Sequence, residues 1–371
     1  MKLLKLVSNQ VKLGAPLPFN VRDEHGHLLL AAGQVIHGDR MLEALLARGI
    51  HADIEEIKAL AAGRKVEPQK PTLFARWTRC YWGLDALARD AQPPEVFRAA
   101  LTELGDSVQS LIETQPDVAI YLMLRQEGHA LRMYGLTHAI HCAALVGLLT
   151  RRLEWPPERQ RSALMAALTM NLACLDLQAR FAVYGRLSQE QRDELRQHPD
   201  AAVARLREAG IDDEEWLRAV AEHHEHSDGK GYPRGLQDVG DMAQLLRLVD
   251  VFLAKISRRE SRPALDLREA ERQAFAEYPS SPLVTALIRE LGPLPPGEVV
   301  QLANGERGVV IHRAAKPQTP IVATLTDKRG IPCQASMKRD TAEREFAFKA
   351  LEADRQLVAR LPPERLYGLL P

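Results

Sequence analysis

Hydrophobic and polar positions fall into three regimes along the chain. From residue 11 to 60, apolar positions alternate with polar ones around turn-forming residues. Leu17-Pro18-Phe19-Asn20-Val21 and Leu28-Leu29-Leu30 flank Asp23-Glu24-His25-Gly26, a pattern that predicts a hairpin. Asp39 to Arg48, closed by Gly49, predicts a short helix with a glycine stop. Residues 63–72, rich in Lys, Arg, Pro and Gln, read as a linker. From Phe74 to about Glu290 the apolar period is helical almost throughout, with Pro94 near one helix start and Ser188-Gln189-Glu190-Gln191 in capping-box spacing at another. Beyond Pro295, Val299–Leu302, Val309–Ile311 and Ile321–Leu325 predict short strands, with turns at Asn304-Gly305 and Asp327–Gly330. A last helix is expected over about Thr341–Leu361. The expected fold is mainly α: a helical bundle over 73–290 (core about 134–270), a small α+β unit at 1–62, and a short β-rich segment with a terminal helix at 291–371.

Several helical stripes carry polar residues on faces that should be buried. Leu217, Val220, Ala221 and His224 fall at i, i+3, i+4 and i+7, with His223 about 100° round from His224. Leu195, His198, Ala202 and Leu206 share a face, and so do Met242, Leu246, Val249, Asp250 and Leu253. His138, Cys142, Leu145 and Leu149 make a fourth stripe, although His141 lies on an equally apolar face. A single histidine of this kind is compatible with a hydrogen-bonded core residue. Four such helices in one bundle also fit a metal or polar cluster, because facing helices build such sites, and imidazoles with a carboxylate suit Zn, Fe or Mn.

Composition narrows the class. Of 371 residues, 46% are apolar and 26% charged, as in an ordinary globular protein. Lys plus Arg equals Asp plus Glu at 49 each, so no global field attracts nucleic acid, and none is expected as a partner. Cys80, Cys142, Cys174 and Cys333 lack C-x-x-C spacing and fit reduced thiols. The stretch Ala139–Leu149 is too short to span a bilayer, and Met1–Gln10 lacks the apolar core of a signal peptide. A cytoplasmic protein without membrane insertion is expected.

The run His223-His224-Glu225-His226-Ser227-Asp228-Gly229-Lys230-Gly231-Tyr232-Pro233 resembles the HHE-x-x-DG-x-GYP signature of the bacterial HD-GYP family, with every defining position present. His198-Pro199 resembles the family's HP step, Asp250-Val251-Phe252 its late Asp-containing helix, and His138 its first histidine. The similarity spans about Tyr134–Pro332. It implies an HD-type helical bundle whose active members hold two or three metal ions and hydrolyse cyclic di-GMP. It assigns ligand roles to His138, His198, His223, His224 and Asp250. Glu225, Asp228, Gly229, Gly231, Tyr232 and Pro233 would form a loop facing substrate or a signalling partner. Gly229 and Gly231 also read simply as turn residues.

The chain departs from that pattern where the family carries its His-Asp dyad and a following Lys. Met170-Asn171 replace the dyad, and Cys174 stands at the Lys position. Tyr134 occupies the place of a Glu found in trinuclear members. Asn171 carries no charge to share between two cations, and Met170 is a soft thioether. The resemblance therefore implies no catalytic residue at 171 or 174 and at most one divalent ion, Fe, Mn or Zn, at partial occupancy. It leaves three functions: a module binding cyclic di-GMP or a protein partner without turnover, a residual one-metal phosphodiesterase, or a nucleotide-independent scaffold.

Overall fold

The computed structural model describes residues 2–6, 11–23, 26, 28–36, 39–48, 50–89, 92–125, 130–354, 358 and 361–369. Chain contacts divide it into two compact units, residues 1–91 and 92–371.

In the first unit, β1 (Leu3–Lys5), β2 (Val21–Arg22), β3 (Leu28–Leu30) and β4 (His51–Asp53) form an antiparallel sheet in the order β1-β4-β2-β3. The expected hairpin is β2–β3, although Glu24 and His25 of its turn lie outside the described residues. Helix α1 (Asp39–Arg48) matches its expected range, and its glycine stop, Gly49, likewise lies outside the described residues. Phe19, Val21, Leu30, Ile36, Leu45 and Ile50 form this unit's core. Asn20 at its edge is fully satisfied: Oδ1 accepts from the N–H groups of Ala32 and Gln69, and Nδ2 donates to Glu56 and the Glu67 carbonyl. The predicted linker is thus tied down through residues 67 and 69. The helix Leu73–Arg89, which the sequence pattern groups with the bundle, packs against β3 and belongs to the first unit.

The second unit is a helical bundle followed by a five-stranded antiparallel sheet. For convenience α2 denotes Pro94–Thr114, α3 Pro116–Leu124, α4 Tyr134–Arg152, α5 Pro157–Thr169, α6 Leu175–Tyr184, α7 Gln189–Glu208, α8 Glu214–Glu222, α9 Asp241–Ile256, α10 Leu267–Glu277 and α11 Pro282–Leu291. Helix α4 is apolar nearly all round and is wrapped by α2, α3, α5, α6, α9 and α11, as expected of a core helix. The segment Leu131–Arg152 is long and apolar enough to cross a membrane by length and composition, but 83% of its apolar 18-residue window is buried. The capping box at Ser188 forms as predicted, with Gln191 returning a bond to the Ser188 N–H.

Two helix expectations fail. Helix α8 ends at Glu222, so His224 leaves the helix rather than continuing its stripe. Of the terminal helix expected over 341–361, residues 341–354 form no α-helix: Lys338–Asp340 and Phe348–Leu351 are strands flanking a short 3-10 turn, residues 355–357 and 359–360 lie outside the described residues, and a single-turn helix follows at Pro363–Tyr367. Sheet order is Lys338–Asp340, Ile321–Thr326, Arg307–His312, Val299–Leu302, Phe348–Leu351. The sequence Ala-Phe-Lys-Ala-Leu favours helix locally, but pairing with Val300–Leu302 satisfies an edge that would otherwise stay open. Arg313 ties this sheet to the bundle by binding Asp117 on α3 and Glu290 on α11.

Candidate functional site

The predicted histidines converge because proline chemistry and a helix end orient them. Within α7, Pro199 has no N–H to give the Leu195 carbonyl, four residues earlier. His198 Nδ1 takes that carbonyl instead, at 2.5 Å. At the end of α8 the Val220 carbonyl is among the last four, which lack intrahelical partners, and His223 Nδ1 takes it at 2.7 Å. A carbonyl only accepts, so both rings carry their proton on Nδ1 and present bare Nε2 lone pairs. Those two nitrogens face one another at 3.1 Å.

Burial keeps both rings neutral. It depresses His223 to a pKa of about 3, helped by neighbouring His198, and lowers His198 despite the Leu195 bond. His224 is pushed well below the normal range by burial and by His223. Two facing lone pairs without a proton repel, and a cation between them removes the repulsion. Two nitrogens sharing one ion at ~2.0–2.1 Å each stand roughly 3 Å apart. His224 completes the set: its donor nitrogen, with those of His198 and His223, lies within 4.8 Å of the others. The donor set therefore fits a divalent transition ion, held by His198, His223 and His224, which would supply Lewis acidity there.

Pro199→Ala separates orientation from stability. The variant restores an N–H that competes with His198 for Leu195. Divalent-ion affinity is expected to fall 10–100-fold, while the metal-free fold gains up to about 3 kcal/mol less the packing lost with the ring. Metal titration alongside thermal unfolding reads both; unchanged affinity would remove the orienting role.

Beside the three histidines lies a second polar group. Asp250 on α9 accepts from His138 Nε2 at 2.9 Å and from Asn171 Nδ2 at 3.2 Å, both at Oδ1. Burial pushes the Asp250 carboxyl up, but the His138 contact outweighs it and holds it below the usual carboxylate range. Tyr134 stacks on His138 with ring centroids 5.2 Å apart, and its hydroxyl, 3.5 Å from His138 Nδ1, accepts from Arg259. Burial raises the Tyr134 pKa to about 12, with Arg259 opposing it.

Met170, Asn171 and Cys174 sit in the turn between α5 and α6, each essentially inaccessible. Asn171 points inward although α5 ends two residues earlier. Cys174 Sγ lies 3.6 Å from Asn171 Oδ1, and burial with the Asp250 charge lifts its thiol well above the normal range. Both effects disfavour a thiolate in the metal-free protein. His141 is depressed to about 3 by burial and by His138, and makes no part of either donor group.

The loop after α8 is held by Glu225, whose buried carboxylate accepts from the N–H groups of Arg234 and Leu236. Glu225 is thus a clasp rather than a surface contact. Gly231 packs so closely that a Cβ would lie 2.4 Å from the Glu225 Cα, while Gly229 takes φ +76°. Tyr232, preceding Pro233 across a cis peptide bond, stacks on His224 at 4.5 Å. Asp228 pairs with His226 and accepts from the Lys230 N–H. His224 and Tyr232, both half-buried, form the accessible edge of an otherwise closed cluster.

Sequence reasoning missed Arg259, signalled only by the charge-rich Arg258-Arg259 pair, and passed over Cys142, placed four residues after His138 on the same stripe. Its Sγ lies 3.6 Å from His138 Nε2.

The chain is similar to known proteins over this region. Residues 111–273 fit a family model described as an HD domain, and the range includes all the clustered histidines and Asp250. HD domains bind divalent metals. A cyclic di-GMP phosphodiesterase of Pseudomonas aeruginosa is 25% identical over 260 residues, 67% of this chain and 62% of that protein. The chain thus spans less than two thirds of that relative's length. An HDG"Y"P protein from Bdellovibrio bacteriovorus superposes over 77% of this chain and 98% of its own, with a TM-score of 0.49 and 14% identity. With its complete signature loop beside this cluster, the chain is similar to HD-GYP proteins, and residues 111–273 match the HD-domain family.

Proposed function

We propose that this chain is a cyclic di-GMP signalling protein whose HD-GYP domain is degenerate and holds the nucleotide without efficient hydrolysis. The relative's activity and the intact signature loop support cyclic di-GMP as ligand. The observation that carries the impaired chemistry is Asn171: an amide donates to Asp250 where a shared carboxylate would serve two ions. Two-ion hydrolysis needs that shared charge to hold both cations against the phosphodiester. Cys174, buried and protonated, supplies no positive charge to a phosphoryl oxygen. The part-exposed Tyr232 loop is the surface assigned to nucleotide or to a signalling partner.

A second reading, a slow one-ion phosphodiesterase, is favoured by the facing Nε2 lone pairs of His198 and His223. Under it, His224→Ala abolishes turnover; under the binding reading, turnover is negligible in the parent chain and the variant alike. Calorimetry of cyclic di-GMP on the full chain tests the proposal. It predicts saturable binding weakened at least tenfold by Tyr232→Ala, and the absence of any heat would overturn it.

A further inference from the structure

We propose that Cys142, His138 and Asp250 form a thiolate-containing site for a thiophilic divalent ion such as zinc, separate from the three-histidine group. The proposal deepens the metal reading above and rests on it only in requiring that the bundle admit a divalent ion.

His138 and Cys142 are four residues apart on α4, so their side chains stack on one face of the helix. Asp250 reaches the same point from α9. One donor atom from each lies within 4.8 Å of the others, and all three residues are buried. The 3.6 Å from Cys142 Sγ to His138 Nε2 suits a nitrogen at ~2.0–2.1 Å and a sulfur at ~2.3 Å from one tetrahedral ion.

Charge decides which ion fits. A divalent cation buried beside neutral ligands is costly, because nothing local replaces its water. Asn171 cannot offset it. Burial and Asp250 push the metal-free Cys142 thiol well up, so it is an ion on the sulfur that displaces the proton; the resulting thiolate with the Asp250 carboxylate makes the occupied site neutral. Uptake releases one proton, from Cys142 Sγ, while His138 moves its ring proton from Nε2 to Nδ1. Tyr134 Oη, 3.5 Å from that Nδ1, is placed to accept it, as the outer partners of metal-bound histidines do. The sulfur selects zinc or cobalt over manganese, which prefers oxygen.

Cobalt(II) titration of the full chain reads the two groups separately. Sulfur–cobalt charge-transfer absorption in the near ultraviolet is expected, abolished by Cys142→Ser and kept by Cys174→Ser. The visible ligand-field bands of cobalt on the three histidines should persist in Cys142→Ser and disappear in His223→Ala. Visible bands without charge transfer would overturn the proposal and leave the three-histidine reading standing. Charge transfer that survives Cys142→Ser and fails in Cys174→Ser would assign the wrong thiol and also overturn it. No cobalt absorption at all would overturn both.

Discussion

Asn171→Asp is expected to destabilise the metal-free protein and to tighten its hold on divalent ions. Asn171 Nδ2 now donates to Asp250 Oδ1 at 3.2 Å. The new carboxylate oxygen would face that acceptor with no proton between them, and two buried carboxylates so close cannot both stay ionised without a cation. Lost bond and added repulsion together should lower metal-free stability by on the order of 3 kcal/mol. The same repulsion becomes affinity once an ion arrives, so manganese or iron should bind about 100-fold more tightly and recover the stability by linkage. Adding Met170→His and Cys174→Lys should then raise cyclic di-GMP hydrolysis by roughly 10²–10³-fold, the scale of restoring charge stabilisation at a reacting phosphoryl group. Metal-dependent unfolding and turnover check the two halves. A metal-free Asn171→Asp as stable as the parent would contradict the place given to Asn171.

Acid should unfold the metal-free protein well before its carboxylates titrate. His223 is fully buried and neutral, with a pKa of about 3 in the fold against about 6.5 in the unfolded chain. Above pH 6.5 neither state is protonated there, and the group does not affect stability. Below it only the unfolded chain takes the proton, so stability falls by ~1.4 kcal/mol per pH unit until about pH 3. At pH 5 His223 alone accounts for about 2 kcal/mol. His198, His224 and His141, all lowered chiefly by burial, act in the same direction. Asp250 adds nothing in that window, since its lowered pKa confers stability that is lost only as pH drops below the ordinary carboxylate range. Thermal unfolding in chelator should therefore show a steep fall from pH 7 to pH 5, flattened in His223→Gln. A flat profile over that range would mean that the imidazoles are not buried neutral.

Much of the site could be read from the chain because its constraints are local. A polar residue on an apolar helical stripe is visible in one sequence, which is why His138, His198 and Asp250 were found where the structure buries them. The strands at Val299–Leu302 and Ile321–Thr326 were legible from β-branched runs bounded by turns.

What was missed depends on tertiary partners. Phe348–Leu351 looks helical by composition and becomes a strand because Val300–Leu302 offers it an edge. The helix Leu73–Arg89 has the bundle's period but finds its contacts on the N-terminal sheet. Helical spacing set His223 apart from His224; the end of α8 at Glu222 brings both rings to one point. The tautomers of His198 and His223 follow from carbonyls left free by Pro199 and by the helix end. No residue pattern states that without the backbone geometry.

The pocket is proposed to keep cyclic di-GMP intact. The direct measurement is a single-turnover incubation of the nucleotide with excess full-length protein, under anaerobic conditions with manganese or iron(II), followed by chromatography of the recovered nucleotide. Intact cyclic di-GMP recovered from the protein-bound fraction is the expected result. Linear product that forms with the parent chain and disappears with His224→Ala would contradict the account and establish a competent site without the dyad.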